Sequence, residues 1–234
     1  MAHGEPLKSA AVIGMRLMTN KRESVMPRLW AYHVLVVLVL VLLGMTISVS
    51  GYAAPASSAL TLVQQTAERM QQTLRAQREE LKQHPERIYG LVEEIALPHF
   101  DFDRISQLVL GRHWRTATPE QQKRFIEEFR NLLIRTYATA LLDYADRAIT
   151  YTPVRAPADA TEVTVRSEVQ QPGSLPVPID YRMYAQDGTW KVYDVIVDGI
   201  SLVTNYRTTF SNEVRQGDLE TLINRLAERN RQGK

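Results

Sequence analysis

The chain has 234 residues, 28 basic and 26 acidic side chains, and no cysteine. That length suits one domain or a small pair. Without cysteine, a disulfide framework, a thiolate nucleophile, a Cys-based metal site and a thioether lipid anchor are all excluded.

Residues 34–43, VLVVLVLVLL, form an uninterrupted apolar run, with Lys21, Arg22 and Arg28 before it and the small-residue stretch GMTISVSGYAAPASSA after it. This is the layout of a secretory signal peptide. Two small-x-small sites place cleavage before Ala54 or before Ser57. An uncleaved anchor is the competing reading, because residues 29–49 approach the ~20 residues that a bilayer requires. The short apolar core and the small residues behind it favour cleavage. Residues 1–17 extend an otherwise ordinary signal, which would start at Met18 or Met26. The expected organisation is an N-terminal extension and signal over 1–56 and a single domain over 57–234. Five basic and two acidic residues fall in 1–56, which leaves residues 57–234 with a net charge of −1. Nucleic-acid binding needs a concentrated basic face, and here the signs are interspersed.

Leu60, Val63, Ala67, Met70, Leu74, Gln77 and Leu81 recur at spacings of three and four, which predicts one long helix over 57–83 capped by Ser57 or Ser58. Pro85 breaks it. A second helix carries Ile88, Leu91, Val92 and Ile95 and ends by Pro98. A third is capped by Asp101, buries Phe102, Ile105, Leu108 and Val109, and stops at Gly111. Thr118, Pro119 and Gln121 form a capping box with proline at the first helical position. The helix they start carries Phe125, Phe129, Leu132, Leu133, Tyr137, Ala140, Leu141 and Tyr144, for about seven turns.

The period then falls to two. Ile149, Tyr151 and Pro153 belong to a first strand. Val163, Val165, Ser167 and Val169 share one face of a second, and Val177, Ile179, Tyr181 and Met183 one face of a third. The QDG turn at 186–188 leads into WKVYDVIVDGISLV, which starts at Trp190. There the alternation puts Trp190, Val192, Asp194 and Ile196 on one face and Lys191, Tyr193, Val195 and Val197 on the other. Neither face is clean. Ser201 caps a helix with Val203, Tyr206, Phe210 and Val214, and Asp218 caps a last one with Leu219, Leu222, Ile223 and Leu226. The sum is an α+β chain, with helices packed on a four-stranded antiparallel meander.

Catalytic signatures are absent: there is no G-x-S-x-G, H-E-x-x-H or glycine-rich phosphate loop. His99, Asp101 and Asp103 read better as a cap and a surface acid than as metal ligands. Asp194 is the one candidate base, for an isomerase or hydratase, because a carboxylate on an apolar face loses solvation. The alternative is a structural carboxylate paired with Arg112, Arg115 or Arg207, since a buried charge survives only with a partner.

Two segments, LGRHWRTATPEQ (Leu110 to Gln121) and WKVYDVIVDGIS (Trp190 to Ser201), resemble the MlaC family, and the similarity extends over about residues 60–228. The resemblance implies a periplasmic phospholipid carrier. It implies a curved sheet and helices forming a nuclear-transport-factor-2-like cone around an apolar cavity. The cavity takes the acyl chains and leaves the head group at its mouth. It further implies a monomer without cofactors or catalytic residues. The implied partners are an inner-membrane ABC transporter with an MCE-domain subunit and an outer-membrane lipoprotein–porin complex. The candidate lining residues are Val163, Val165, Val169, Ile179, Tyr181, Met183, Val195 and Val197 from the strands. Leu133, Tyr137, Leu141 and Tyr144 from the long helix complete the set.

Overall fold

The first apolar stripe folds as two helices rather than one. A computed structural model describes residues 55–157 and 159–232; residues 1–54 of the expected signal segment lie outside the described residues. Helix α1 spans Ala56–Ala76 and α2 spans Arg78–Gln83, with the break at Gln77, the polar interruption of the stripe. The kink still lets Leu74 and Leu81 enter one cluster. Neither Ser57 nor Ser58 caps α1. Pro55 holds the N-cap position with extended backbone, and the Ser58 hydroxyl donates to its carbonyl at 2.6 Å. The same carbonyl and Ser58 Oγ each accept from Trp190 Nε1 at 3.1 Å.

Helices α3 (Arg87–Ile95) and α4 (Phe102–Leu110) follow, joined by a 3₁₀ turn over Leu97–His99. Asp101 caps α4 through the Arg104 N–H at 2.9 Å, and Gly111 ends it with φ of 56°. The capping box on Thr118 and Gln121 forms in both directions and opens α5 (Pro119–Tyr137). The expected seven turns are cut short at Tyr137, and α6 (Leu141–Tyr144) follows as a separate piece. Thr136 donates to the Leu132 carbonyl at 2.7 Å, a back-bond that weakens and bends a helix end. Thr139 adds a second β-branched residue of low helix propensity.

The sheet is an antiparallel meander of β1 (Ile149–Thr152), β2 (Glu162–Val169), β3 (Val177–Gln186), β4 (Thr189–Val197) and β5 (Ile200–Ser201). It has one strand more than expected. Asp198 and Gly199 both have positive φ, as do Asp187 and Gly188 in the preceding hairpin. Asp-Gly supplies a two-residue turn whose twist matches the strands, so the second Asp-Gly makes a short hairpin ahead of the helix that Ser201 caps. Helices α7 (Leu202–Gln216) and α8 (Leu219–Gln232) complete the chain.

Among the described residues, buried apolar side chains form three clusters. One joins α4, α5, α7 and α8 around Phe125, Phe129 and Phe210. A second joins α1, α2 and α3 to the end of α5 around Leu74, Leu81 and Ile88. The third lies between the start of α1 and the sheet, around Val165, Met183 and Trp190.

Pro55 is therefore a working part of the fold. A chain beginning at Ala54 keeps it, whereas one beginning at Ser57 loses both the carbonyl that takes the Trp190 N–H and the packing of Ala56. The shorter chain is expected to be less stable by about 1–2 kcal/mol, read as a lower urea midpoint with an unchanged m-value.

Candidate functional site

The mixed patterning of β4 has a single cause. Its register against β3 slips between Arg182 and Met183: Met183 faces Val192, but Arg182 faces Asp194. Tyr193 is the extra residue of a β-bulge, and a bulge resets which side chains share a face. Trp190 and Val192 before it and Val195 and Val197 after it thus lie on one face. Direct cross-strand partners share a face, so this face also carries Met183, Tyr181 and Ile179 of β3 and Val163, Val165, Ser167 and Val169 of β2. All eight strand candidates come together on it. The simple alternation, which set Val195 and Val197 apart from Trp190 and Val192, is corrected by the bulge.

The opposite face holds the polar set. The Arg104 guanidinium lies over the rings of both Tyr184 and Tyr193, 3.9 and 4.5 Å from their centroids, and Arg104 bonds Glu162 at 2.6 Å. Asp194 is turned to this side and is 4% exposed. Its Oδ1 accepts the Val203 N–H at 3.1 Å, and its Oδ2 accepts the Ser201 hydroxyl at 2.7 Å and lies 3.7 Å from Arg182 Nη1. Ser201 Oγ in turn accepts the Thr204 N–H at 3.0 Å. Asp194 is thus a cap for α7, where a negative charge is favoured. Its cation is Arg182, not the expected Arg112, Arg115 or Arg207. Arg207 donates instead to the Leu108 carbonyl at 2.6 Å. Both carboxylate oxygens are engaged, on the face away from the apolar candidates.

The apolar face is buried all along β2, whereas on β3 and β4 it is buried only up to Met183 and Val192 and half-buried beyond them. Val163, Val165 and Met183 are buried with Ala59 and Val63 of α1, and Val169 is buried as well. Ile179, Tyr181, Val195 and Val197 are only half-buried. Tyr181 lies deep, and burial pushes its phenol above the usual tyrosine range, yet it keeps free surface. Tyr151 of β1 shares this face, opposite Ser167, and burial raises its phenol to about 12. Ser167 fits among apolar neighbours because its hydroxyl donates to the Ile179 carbonyl at 2.9 Å.

On the helical side, Leu133 packs at the edge of the first cluster and Leu141 at the edge of the second, both half-buried, as is Tyr144. Tyr137 is 40% exposed, and its hydroxyl meets that of Tyr206 on α7. The close helix–strand approaches belong to α1, α4 and α7, not to α5 or α6. Protein interiors are close-packed. Among the strand candidates, Ile179, Tyr181, Val195 and Val197 are the ones that keep free surface. Tyr151 and Tyr206 were missed by the sequence reading as site residues. The alternation of β1 pointed to the first, and nothing short of the α5–α7 contact pointed to the second. Asp101, of the His99, Asp101 and Asp103 group, is occupied as the α4 cap and accepts the Tyr184 hydroxyl.

The molecule is thus an α+β protein in which helices surround an antiparallel five-stranded sheet with one incompletely filled apolar face. It belongs to the MlaC family, whose model, described as MlaC protein, matches residues 64–228. The toluene tolerance protein ttg2D of Pseudomonas putida is 33% identical over 165 residues, 69% of this chain and 76% of that protein. The intermembrane phospholipid transport system binding protein MlaC of Haemophilus influenzae is 25% identical over 173 residues, 73% of this chain and 81% of that protein. The structure of a phospholipid-binding protein from Ralstonia solanacearum in complex with a phospholipid superimposes with a TM-score of 0.70 at 35% identity. It covers 77% of this chain and 99% of that one.

The Asp194 geometry predicts a stability effect. Asp194→Ala removes the acceptor of a buried N–H and of the Ser201 hydroxyl, and is expected to cost about 2–4 kcal/mol in urea unfolding. Arg182→Ala, on a half-exposed partner at 3.7 Å, is expected to cost less than about 1 kcal/mol.

Proposed function

We propose that this protein is a periplasmic carrier that holds a glycerophospholipid by its acyl chains and moves it between the inner and outer membranes. The observation that carries this reading is the half-buried apolar face of Ile179, Tyr181, Val195 and Val197, in a chain whose 35% identical structural relative was solved with a phospholipid. In this reading sheet and helices form a nuclear-transport-factor-2-like cone. Leu133, Tyr137, Leu141 and Tyr144 line it from the helical side. Val163, Val165 and Met183 form the packed layer beneath α1, and Val169 continues that face at the far end of β2. Residues 57–234 are the single lipid-binding domain, working as a monomer. Residues 1–56 carry the cleaved export signal.

The energetics suit a carrier. Each buried methylene is worth about 0.8 kcal/mol, so two chains of roughly sixteen carbons gain on the order of 20 kcal/mol by leaving water. Free diffusion of a phospholipid across an aqueous compartment is correspondingly slow. Exchange between a bilayer and an apolar hollow is close to neutral, so docking can set its direction. The docking partners in this reading are an inner-membrane ABC transporter with an MCE-domain subunit and an outer-membrane lipoprotein–porin complex. Asp194, capping α7 on the other side of the sheet, takes no part. The isomerase or hydratase reading would need it free on the apolar face.

The purified exported protein is expected to yield phospholipid to solvent extraction and mass spectrometry, and to take up labelled phospholipid from vesicles. Neither would occur if the hollow were ordinary core. Ile179→Trp and Val197→Trp each place a large ring on the half-buried apolar face, at directly paired positions of β3 and β4. In a packed core the added volume would cost about 1–3 kcal/mol. In a hollow it is expected to leave the urea midpoint nearly unchanged while lowering bound lipid by about tenfold, roughly 1.4 kcal/mol of affinity. Intact mass of the exported chain should show loss of the residues up to Ala53 or Ala56.

A further inference from the structure

The space over the apolar face is closed differently at the two edges of the sheet. At the β4 edge, Phe100 bridges to Val192, the Asp101 N–H bonds the Val192 carbonyl at 3.0 Å, and β5 pairs with Ile196 and Val197. At the other edge β1 pairs only with β2. There the chain itself crosses once from helices to sheet, in residues 138–148 between α5 and β1.

This crossing segment holds itself poorly. The N–H groups of Leu141, Leu142 and Asp143 reach carbonyls three residues back at 3.0, 3.2 and 3.2 Å, and that of Ala145 reaches Leu142 at 3.4 Å. Such i→i+3 bonds have poorer geometry than α-helical ones, and a four-residue helix has no stability of its own. Its packing comes from Ala138 and Ala145, which belong to the second cluster, and from Leu141 and Leu142 against it. Its polar ties come from α1 and α2, and at its β1 end from the Gln170 N–H, which donates to the Ala148 carbonyl at 2.9 Å. The Gln71 amide nitrogen donates to the Tyr144 carbonyl at 3.0 Å and to the Arg147 carbonyl at 2.8 Å. At the surface Arg78 pairs with Asp146. One side chain of α1 thus spans the end of α6 and the entry to β1.

We propose that residues 138–148 are a gate to the lipid hollow and that Gln71 is its latch, a positioning residue that sets how fast a phospholipid enters and leaves. The proposal rests on the carrier reading. Two acyl chains cannot thread a closed wall, so part of the wall must open. We place the opening at this crossing because its own backbone bonds are of the weaker i→i+3 kind. The two Gln71 bonds exist in the closed form and are lost in the open one. Removing them favours opening without touching the apolar lining, so entry and exit should accelerate together while affinity changes little.

The test uses the exported chain as wild type, Gln71→Leu and Arg78→Ala. Transfer of pyrene-labelled phosphatidylglycerol to and from vesicles of phosphatidylethanolamine and phosphatidylglycerol is followed beside amide hydrogen exchange. Gln71→Leu is expected to speed uptake and release by about tenfold, as for loss of two modest hydrogen bonds, with bound lipid at equilibrium within about twofold. Hydrogen exchange should rise over 138–148 and not in β2 to β4. Arg78→Ala should act in the same direction more weakly, and it serves if Gln71→Leu does not fold. Faster hydrogen exchange over 138–148 with unchanged transfer rates would overturn the gate. Unchanged hydrogen exchange there would overturn the latch. A lower bound fraction with unchanged rates would assign Gln71 a purely structural role and overturn both. A wild type that takes up no lipid overturns the carrier reading and the gate with it, while hydrogen exchange still reports whether Gln71 holds the segment.

Discussion

One extra residue in β4 organises much of this protein. With Tyr193 bulged out of register, Trp190 and Val192 can pack under α1 while Val195 and Val197 continue the same apolar face beyond it. The same slip swings Asp194 to the other side, where it accepts the Val203 N–H of α7 and the hydroxyl of Ser201, whose oxygen in turn accepts the Thr204 N–H. Without the bulge, a strict two-residue alternation would bury Asp194 among Val192 and Met183 and expose two valines. A buried carboxylate without partners is among the costliest arrangements a core can hold.

The bulge also links the three clusters. Val192 belongs to the sheet cluster and Tyr193 to the helical one, and Phe100, bridged to Val192, contacts both. Helix α5 joins the helical cluster to the second through Phe129 and Ile134, and α1 joins the second to the sheet through Met70 and Val63. Apolar groups distributed as three clusters in a ring, rather than as one mass, leave partly free side chains at the boundaries. Leu133, Leu141, Tyr181 and Val195 are such residues. That is the arrangement a container for an apolar molecule requires, because a site that bound its own side chains fully would have no surface left for a ligand.

The polar groups are placed to keep this face apolar. Ser167 spends its hydroxyl on the Ile179 carbonyl, and Trp190 spends its N–H on Pro55 and Ser58. The charged chemistry of Arg104, Glu162, Tyr184 and Asp101 lies on the far side of the sheet. Holding a phospholipid by its chains calls for dry walls and satisfied backbone groups, not for reactive side chains.

Much of this was legible along the chain. Capping chemistry is local, so Asp101, Thr118 with Gln121, Ser201 and Asp218 announced four helix starts correctly. The period-two runs of β2 and β3 identified their inner faces, because side-chain direction in a regular strand follows from counting. What counting could not supply was the bulge, which depends on how β4 pairs with β3. The breaks at Gln77 and after Tyr137 fall at local weak points, but the apolar stripe runs on past both, so its spacing alone reads as one continuous helix in each case. Asp194 was readable as a paired carboxylate, but not its partner, since Arg112, Arg115, Arg182 and Arg207 are equivalent until the strands are laid side by side. The sequence by itself determined the elements, the MlaC family resemblance and the residue types of the wall. Only the tertiary structure decided which wall residues are packed and which keep free surface, because free volume belongs to the space between elements and is written in none of them.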